Sequence, residues 1–515
     1  MSVQTARGTK GVVATGHGLA SEAALAVLRD GGNAVDAAIA AALVLSVVCP
    51  YACTLGGDLY ALVHEPRARA MVGLNGTGCS PAAATLDRFA AGMPANGIHS
   101  ATTPGLLRGL ADLQARFGSR DLGGLMQPAI RLAEEGFPVH RQLAANTADR
   151  AALLAKNEAA RALFLPGGKP LAEGARFVQP ELALVLRLVA ARGVSAFYEG
   201  EIAERMASAS ARLGGLVANE DLARHASLWQ EPIAAPFYGH EIVTMPPNSY
   251  GATLLFQLLE LEAGKVDAVD PNGLDFILRG YAARRSAYCT ATPLIADPSL
   301  VEGELRHRLA AAIAMAGPRD AKGATAPAEA RDRCTTCVVV IDRDGMAVSL
   351  IESISAPYGA GVVLEGTGIL LNNRMAGFNN DAASVNCVAP GKRPANTLAP
   401  CLVMKNGGLA MSVGTPGTVG QTCTLAQFLA RVLACGEDPA AAIAAPRWSV
   451  DFKGKLVVED AMDEALRQAV LAADPEARAM RSGWISFGSI KAALVADGGL
   501  LGVADQRRAA TALGW

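Results

Sequence analysis

Residues 331–353 read RDRCTTCVVVIDRDGMAVSLIES, and the reading of this stretch decides the fold. Cys337 to Ile341 is mostly β-branched, Asp344-Gly345 is a turn signal, and Ala347 to Ile351 is apolar again. That pattern predicts a β-hairpin over 335–353. Two threonines stand between two thiols at its start, so the chemistry belongs either to the Cys334/Cys337 pair or to a hydroxyl. A redox C-x-x-C needs a helix opening behind its first thiol to lower the thiol pKa, and here a strand follows. A zinc site needs further ligands at short spacing, yet no histidine occurs after His307. The cysteines read as small buried hydrophobes, no metal is expected, and the threonines remain.

Upstream, residues 317–333 (GPRDAKGATAPAEARDR) hold Gly, Pro and alternating charge with hardly any large apolar side chain, the composition of a solvated flexible linker. A threonine hydroxyl is a poor nucleophile near neutral pH unless a base takes its proton. A threonine at a chain N-terminus can use its own α-amine, with an ordinary pKa of about 7.7–8.0. Thr335 is internal, so this chemistry requires cutting the Cys334–Thr335 bond, where the linker ends.

The rest of the chain suits a globular enzyme acting on a small molecule. Of 515 residues, 51% are hydrophobic and 18% charged, and the net charge of −2 is spread without a basic stripe. Nucleic acid is therefore not an expected partner. The longest apolar run, Ala37 to Val48, is too short for a membrane span and reads as a buried helix. No apolar leader with a small-residue cleavage site opens the sequence, and a cytoplasmic location is expected. Helices are predicted from an N-cap at Ser21 to a stop at Gly31-Gly32, over 34–48, and over 104–118, 123–135, 179–192, 201–213 and 425–433. A strand is predicted over 241–245. The large N-terminal part reads as helix-rich and the C-terminal third as sheet-rich.

GTPGTVGQ, 414–421, lacks the G-K-[ST] ending of a phosphate loop, and no strand–loop–helix arrangement is expected around it. It reads as a turn whose backbone N–H groups can face an oxyanion. The seven histidines are widely separated and read as structural.

In order along the chain, LASEAALAVLRDGGNAVDAAIAAALVLSVV, LGGD, TTPGLLRGL, QPAIRLAEEGFPVHRQLA, FYEGEIAERM, GGLVANEDLARH and MPPNSYGATLLFQLLELEAG precede the hairpin. After it come GTGILLNNRMAGF, GKRPANTLAPCLV, GTPG, APRW and ADQRR. With TTCVVVIDRDGMAVSL, these blocks resemble the gamma-glutamyltranspeptidase family of N-terminal nucleophile hydrolases along nearly the whole chain. The resemblance implies an α/β (α+β) fold, a four-layer αββα sandwich. It implies one hydrolase domain that cleaves itself between Cys334 and Thr335 into a large chain 1–334 and a small chain 335–515. Thr335 would be the nucleophile, Ser353 its hydroxyl partner, Thr336 a strand residue facing away, and the N–H groups of Gly417 and Thr418 the oxyanion hole. Ser355, Asn373, Arg374, Asn396 and Thr397 fall at substrate-binding positions. No cofactor is implied, and a homo-oligomer is left open.

The departures concern the substrate. The family's carboxylate-gripping arginine falls on Thr77, and the acid that receives the α-amino group falls on Gly377. A serine pair becomes Asn396-Thr397 and a glutamine becomes Arg374, which either grips the carboxylate of a smaller acyl donor or plays a structural part. Burying an α-ammonium and a carboxylate without partners is expensive. The expected activity is therefore hydrolysis of a small carboxylate-bearing amide such as oxamate. The alternatives are a gamma-glutamyl hydrolase or transferase acting on glutathione or glutamine-like donors, and a catalytically silent binding protein on the same scaffold.

Overall fold

A computed structural model describes residues 2–315 and 334–515; the linker read over 317–333 lies outside the described residues. The hairpin forms as read, with strands Cys334–Asp342 and Ala347–Ser355 and a turn at which Gly345 takes φ +81°. It is the middle of a seven-stranded sheet. In spatial order its strands are Thr511–Gly514, Gly11–Thr15, Cys334–Asp342, Ala347–Ser355, Asp58–Glu65, Ala70–Gly76 and Leu228–Gln230. The second seven-stranded sheet runs Val3–Gly8, Gly499–Asp505, Lys491–Ala496, Gly408–Gly414, Cys401–Lys405, His240–Thr244 and Ile233–Phe237.

Alternation along the strands builds the layers. Val338 and Val340 point to a helix layer, whereas Cys337, Val339 and Ile341 point at the opposite sheet. Helices Gly18–Arg29, Ala34–Val48, Leu106–Phe117 and Leu122–Glu135 cover the hairpin's sheet. Helices Gly251–Ala263, Leu274–Ala291, Pro298–Ala314 and Gln421–Leu429 cover the other. Small polar side chains cross between the sheets: Ser349 Oγ donates to Val413 O at 2.9 Å and Ser412 Oγ to Val348 O at 2.8 Å. The result is a four-layer αββα sandwich.

Every residue of helix Ala34–Val48 is buried. Its unbroken apolar sequence fits because one side meets the sheet and the other meets further helices, so no polar stripe is needed. Asn33 and Asp36 close a capping box at its start. The cap predicted at Ser21 is displaced. His17 caps that helix, its Nδ1 accepting the Leu19 N–H at 3.3 Å. Ser21 sits in the first turn and donates to Thr511 O at 2.8 Å. A histidine ring reaches the helix N–H as a shorter oxygen side chain would, a use that cap preferences do not flag.

Candidate active site

Across the hairpin, Cys334 lies opposite Ser355 and Thr336 opposite Glu352. Two residues, Ser353 and Ile354, therefore face the single Thr335 in a β-bulge, a device that re-aims a side chain. Thr335 is buried at 3% exposure, and its Oγ1 donates to Ser353 Oγ at 3.3 Å. The Ser353 hydroxyl also accepts the Ser355 N–H at 2.8 Å and donates its own proton to the Cys334 carbonyl oxygen at 2.6 Å. One donor and two acceptors are all a hydroxyl offers, and Ser353 uses two of them on the residues of the Cys334–Thr335 bond and the third on the Ser355 N–H.

Thr336 faces the other way: a Cβ on Gly16 would stand 2.1 Å from its Oγ1. Cys334 packs in the helix-side core and Cys337 between the sheets, so the two thiols lie on opposite faces of one strand. All ten cysteines are free.

On the far side of the Ala347–Ser355 strand, Ser353 pairs in register with Asp58. The Asp58 carboxylate accepts Arg374 Nε at 2.7 Å and the Gly78 N–H at 3.0 Å. Both side chains of the ion pair are essentially without exposure, 0% for Asp58 and 1% for Arg374. Burial pushes the Asp58 carboxyl above its ordinary value against the pull of Arg374. Arg374 is thus a buried structural partner of Asp58 and no surface residue. Asp58 was visible in the sequence only as the end of the LGGD block.

Thr77, read from the sequence as standing where the family has its carboxylate-gripping arginine, is wholly buried. Its hydroxyl donates to Asn75 Oδ1 at 2.6 Å within a network that includes Asn248 and Tyr60. Asn373 uses its amide on the backbone, accepting the Ala356 N–H and donating to Ala95 O. At Asn396, Oδ1 accepts the Leu398 N–H, while Nδ2 and the neighbouring Thr397 Oγ1 are buried without a partner. Two unmatched polar atoms side by side need an explanation, and a ligand is one.

The 414–421 segment corrects one expectation. Strand Gly408–Gly414 leads through the turn into helix Gln421–Leu429, so strand–loop–helix is present although the lysine is not. Gly417 takes φ +146° and Thr418 φ +54°, an unusual conformation for a β-branched residue. The turn is tied to the rest of the site at both ends. A Cβ on Gly414 would touch Cys337 at 3.3 Å, and the Gln421 amide, oriented to suit its neighbours, donates to Thr397 O at 3.1 Å and Thr415 O at 3.3 Å.

Two features had no sequence signal. Glu352 is a fully buried carboxyl whose pKa burial drives well above the ordinary value. The APRW and ADQRR blocks meet in a buried ion network, with Arg447 2.7 Å from Asp505 and Arg507 2.7 Å from Glu459.

A threonine at the head of a buried strand, with a hydroxyl relay to the preceding carbonyl inside an αββα sandwich, is the architecture of the N-terminal nucleophile hydrolases. The sequence profile of the gamma-glutamyltranspeptidase family matches residues 20–515, and the chain belongs to that family. It is 34% identical to the glutathione hydrolase-like YwrD proenzyme of Bacillus subtilis over 86% of this chain and 85% of that one. It is 32% identical to the oxamate amidohydrolase proenzyme of Klebsiella pneumoniae, over 85% of each. The crystal structure of cephalosporin acylase from Bacillus halodurans superposes with a TM-score of 0.90 at 28% identity, covering 99% of this chain and 97% of that one. The chain is an amidohydrolase-type enzyme of this family. No helix among the described residues is long and apolar enough to cross a membrane.

Proposed function

We propose that the protein cuts its own Cys334–Thr335 bond and then hydrolyses a small carboxylate-bearing amide, oxamate being the leading candidate, with Thr335 as nucleophile. The observation that carries the reading is the Ser353 hydroxyl, which meets both Thr335 Oγ1 and the Cys334 carbonyl oxygen. In the first reaction Oγ1 attacks the Cys334 carbonyl carbon, which Ser353 polarises. The C–N bond breaks, the proton passes to the Thr335 nitrogen, and water opens the resulting ester. In the second, the freed α-amine takes the Oγ1 proton as the oxygen attacks the substrate amide and returns it to the departing nitrogen. Water then releases the acid. The Gly417 and Thr418 N–H groups would hold the oxyanion.

The buried unmatched atoms of Asn396 and Thr397 would supply donors for the acyl group, while Arg374 is held by Asp58. Thr77 is committed to its own network, and Gly377 carries no charge, so neither amino-acid anchor of a glutamyl substrate is retained. The relative named for glutathione hydrolysis keeps the glutamyl reading as the second one. Intact mass under denaturing conditions and ammonia release from oxamate and glutamine test the proposal together. Two chains in the wild type and one in Thr335→Ala are expected, with oxamate turnover falling by at least about 10⁴-fold in the variant. A single uncleaved wild-type chain after long incubation would sink it. Release from glutamine alone would transfer it to the glutamyl reading.

A further inference from the structure

Lys491 is 1% exposed, and the chemistry proposed above does not use it. It stands in register with Gly414, whose strand leads into the 414–421 turn. Burial pushes its pKa down, against the pull of the Cys337 thiol nearby. The Asp505 carboxylate is taken by Arg447 and Arg507, and Lys491 makes no ion pair among the described residues. It spends its donors on one residue instead: Nζ donates to Ser489 O at 2.9 Å and to Ser489 Oγ at 3.2 Å. A lysine buried in this way is costly, and such groups concentrate where they serve a site.

Ser489 passes the constraint on. Its Oγ donates to Asp505 O at 3.0 Å, and its N–H reaches 74 residues back along the chain to donate to Thr415 Oγ1 at 3.0 Å. A backbone N–H can only donate, so the Thr415 hydroxyl accepts from Ser489 and turns its own proton to the Pro416 carbonyl oxygen, 2.7 Å away. Thr415 and Ser489 are both wholly buried. Gly488 keeps the approach open, since a Cβ there would stand 2.5 Å from Thr415 Oγ1 and 2.7 Å from Pro416 O.

Pro416 O and the Gly417 N–H belong to one planar trans peptide, so they point in opposite directions. Holding the carbonyl on the Thr415 side therefore turns the Gly417 N–H to the other face, where it meets no acceptor among the described residues. The next peptide is held likewise. Gly417 O accepts the Gly420 N–H at 2.8 Å, which sends the Thr418 N–H the opposite way. That second hold is made within the turn, whereas the first depends on Ser489 and Lys491 from another strand.

We propose that Thr415, Ser489 and Lys491 form a brace that sets the direction of the Gly417 N–H, which makes Thr415 and Lys491 positioning residues for the oxyanion. The inference rests on the reading of Gly417 as an oxyanion donor and deepens it. A donor that can swing must be reorganised as charge develops, whereas a braced one is already in place.

Three variants test the brace. Thr415→Val removes the hydroxyl at nearly constant shape, Thr415→Ser keeps it, and Lys491→Met removes the amine while filling its space. Intact mass selects fully cut enzyme, which is compared on whichever of oxamate and glutamine turns over. kcat should fall by about 10- to 100-fold in Thr415→Val and by about threefold or more in Lys491→Met, with KM within about twofold of wild type and most of the rate kept in Thr415→Ser. Deuterium uptake by peptides spanning 414–421, followed by mass spectrometry in a Thr335→Ala background where turnover plays no part, should quicken by about tenfold in Thr415→Val and by about threefold in Lys491→Met. Either of these two variants matching wild type in kcat or in uptake overturns the proposal. A loss that Thr415→Ser shares, or that falls on KM, marks a packing role and overturns it as well. If neither amide turns over, the proposed activity fails and uptake alone decides the brace: quickened in Thr415→Val and Lys491→Met but not in Thr415→Ser upholds it, and any other pattern removes it.

Discussion

The corner around Thr335, proposed as the nucleophile, and the corner around Asp58 and Arg374, proposed to meet the acyl group, touch through the Ser353–Asp58 register pair, yet they are built differently. The first is assembled by one hairpin: Cys334, Thr335, Ser353 and Ser355 lie within 22 residues and are held by backbone pairing and a single hydroxyl. The second joins side chains from remote segments, as Asp58 and Arg374 do across 316 residues. Chemistry that rests on local backbone geometry keeps its residues. Recognition that rests on distant side chains is free to exchange them, as the sequence reading of Thr77 and Arg374 expects.

The contrast breaks if the acyl corner proves indifferent to its ion pair. Asp58→Asn leaves Arg374 buried without its charge partner and should destabilise the fold by roughly 3–5 kcal/mol, measured by urea denaturation. Replacing both, Asp58→Asn with Arg374→Met, should recover much of that. A single variant as stable as wild type would mean that the pair does not hold the corner together.

Acid should loosen both corners. Burial, with His140 beside it, pushes His17 down to about 4, and burial, with Arg393 and Arg108, pushes His225 down to about 3. Both rings are neutral in the folded protein but take a proton near pH 6.5 when unfolded. Stability is therefore complete above about pH 6.5 and lost as pH falls, by up to about 3 kcal/mol toward pH 4 for His17 and up to about 5 kcal/mol toward pH 3 for His225. His17→Gln and His225→Gln should each flatten the pH dependence of the melting temperature. The first reports on the helix that follows the strand next to the nucleophile, the second on the Arg393 side.

The hairpin itself is sharpened by Ser353→Ala, which removes the donor to the Cys334 carbonyl. Self-cleavage should slow by about 100-fold, followed by gel densitometry of freshly folded precursor, while Ser353→Thr keeps the hydroxyl and most of the rate. The smallest effect is expected at the turn between the corners. Thr418 holds φ +54°, so Thr418→Gly should raise stability by about 1 kcal/mol with the N–H donor unchanged. A loss on thermal melting would show that the Thr418 side chain, near Ser486, outweighs the strain.

Much of this was legible in sequence wherever a local pattern decides local structure. The hairpin followed from β-branched runs around Asp344-Gly345, and helix 34–48 from an apolar run bounded by Asp36 and Pro50. Thr335 and Ser353 were placed by the resemblance, and the bulge that aims one at the other could not be seen before the register was known. His17 as a cap, Glu352 as a fully buried acid and the Asp58–Arg374 pair were beyond reach for a common reason. Each depends on what packs against it from another part of the chain, and no periodicity encodes that.

The strand order has a consequence for the lifetime of the protein. Residues before and after the Cys334–Thr335 bond alternate in both sheets: Gly11–Thr15 lies between Thr511–Gly514 and Cys334–Asp342, and Val3–Gly8 pairs with Gly499–Asp505. While the chain is whole, its own connectivity holds these strands at a high effective concentration. If the chain is cut there as proposed, the two pieces would stay interlocked, but a denatured sample would have to find the same interleaving by collision in dilute solution. Such a cut form would be a molecule that folding makes and refolding cannot readily remake, its endurance set by the rate of unfolding rather than by an equilibrium.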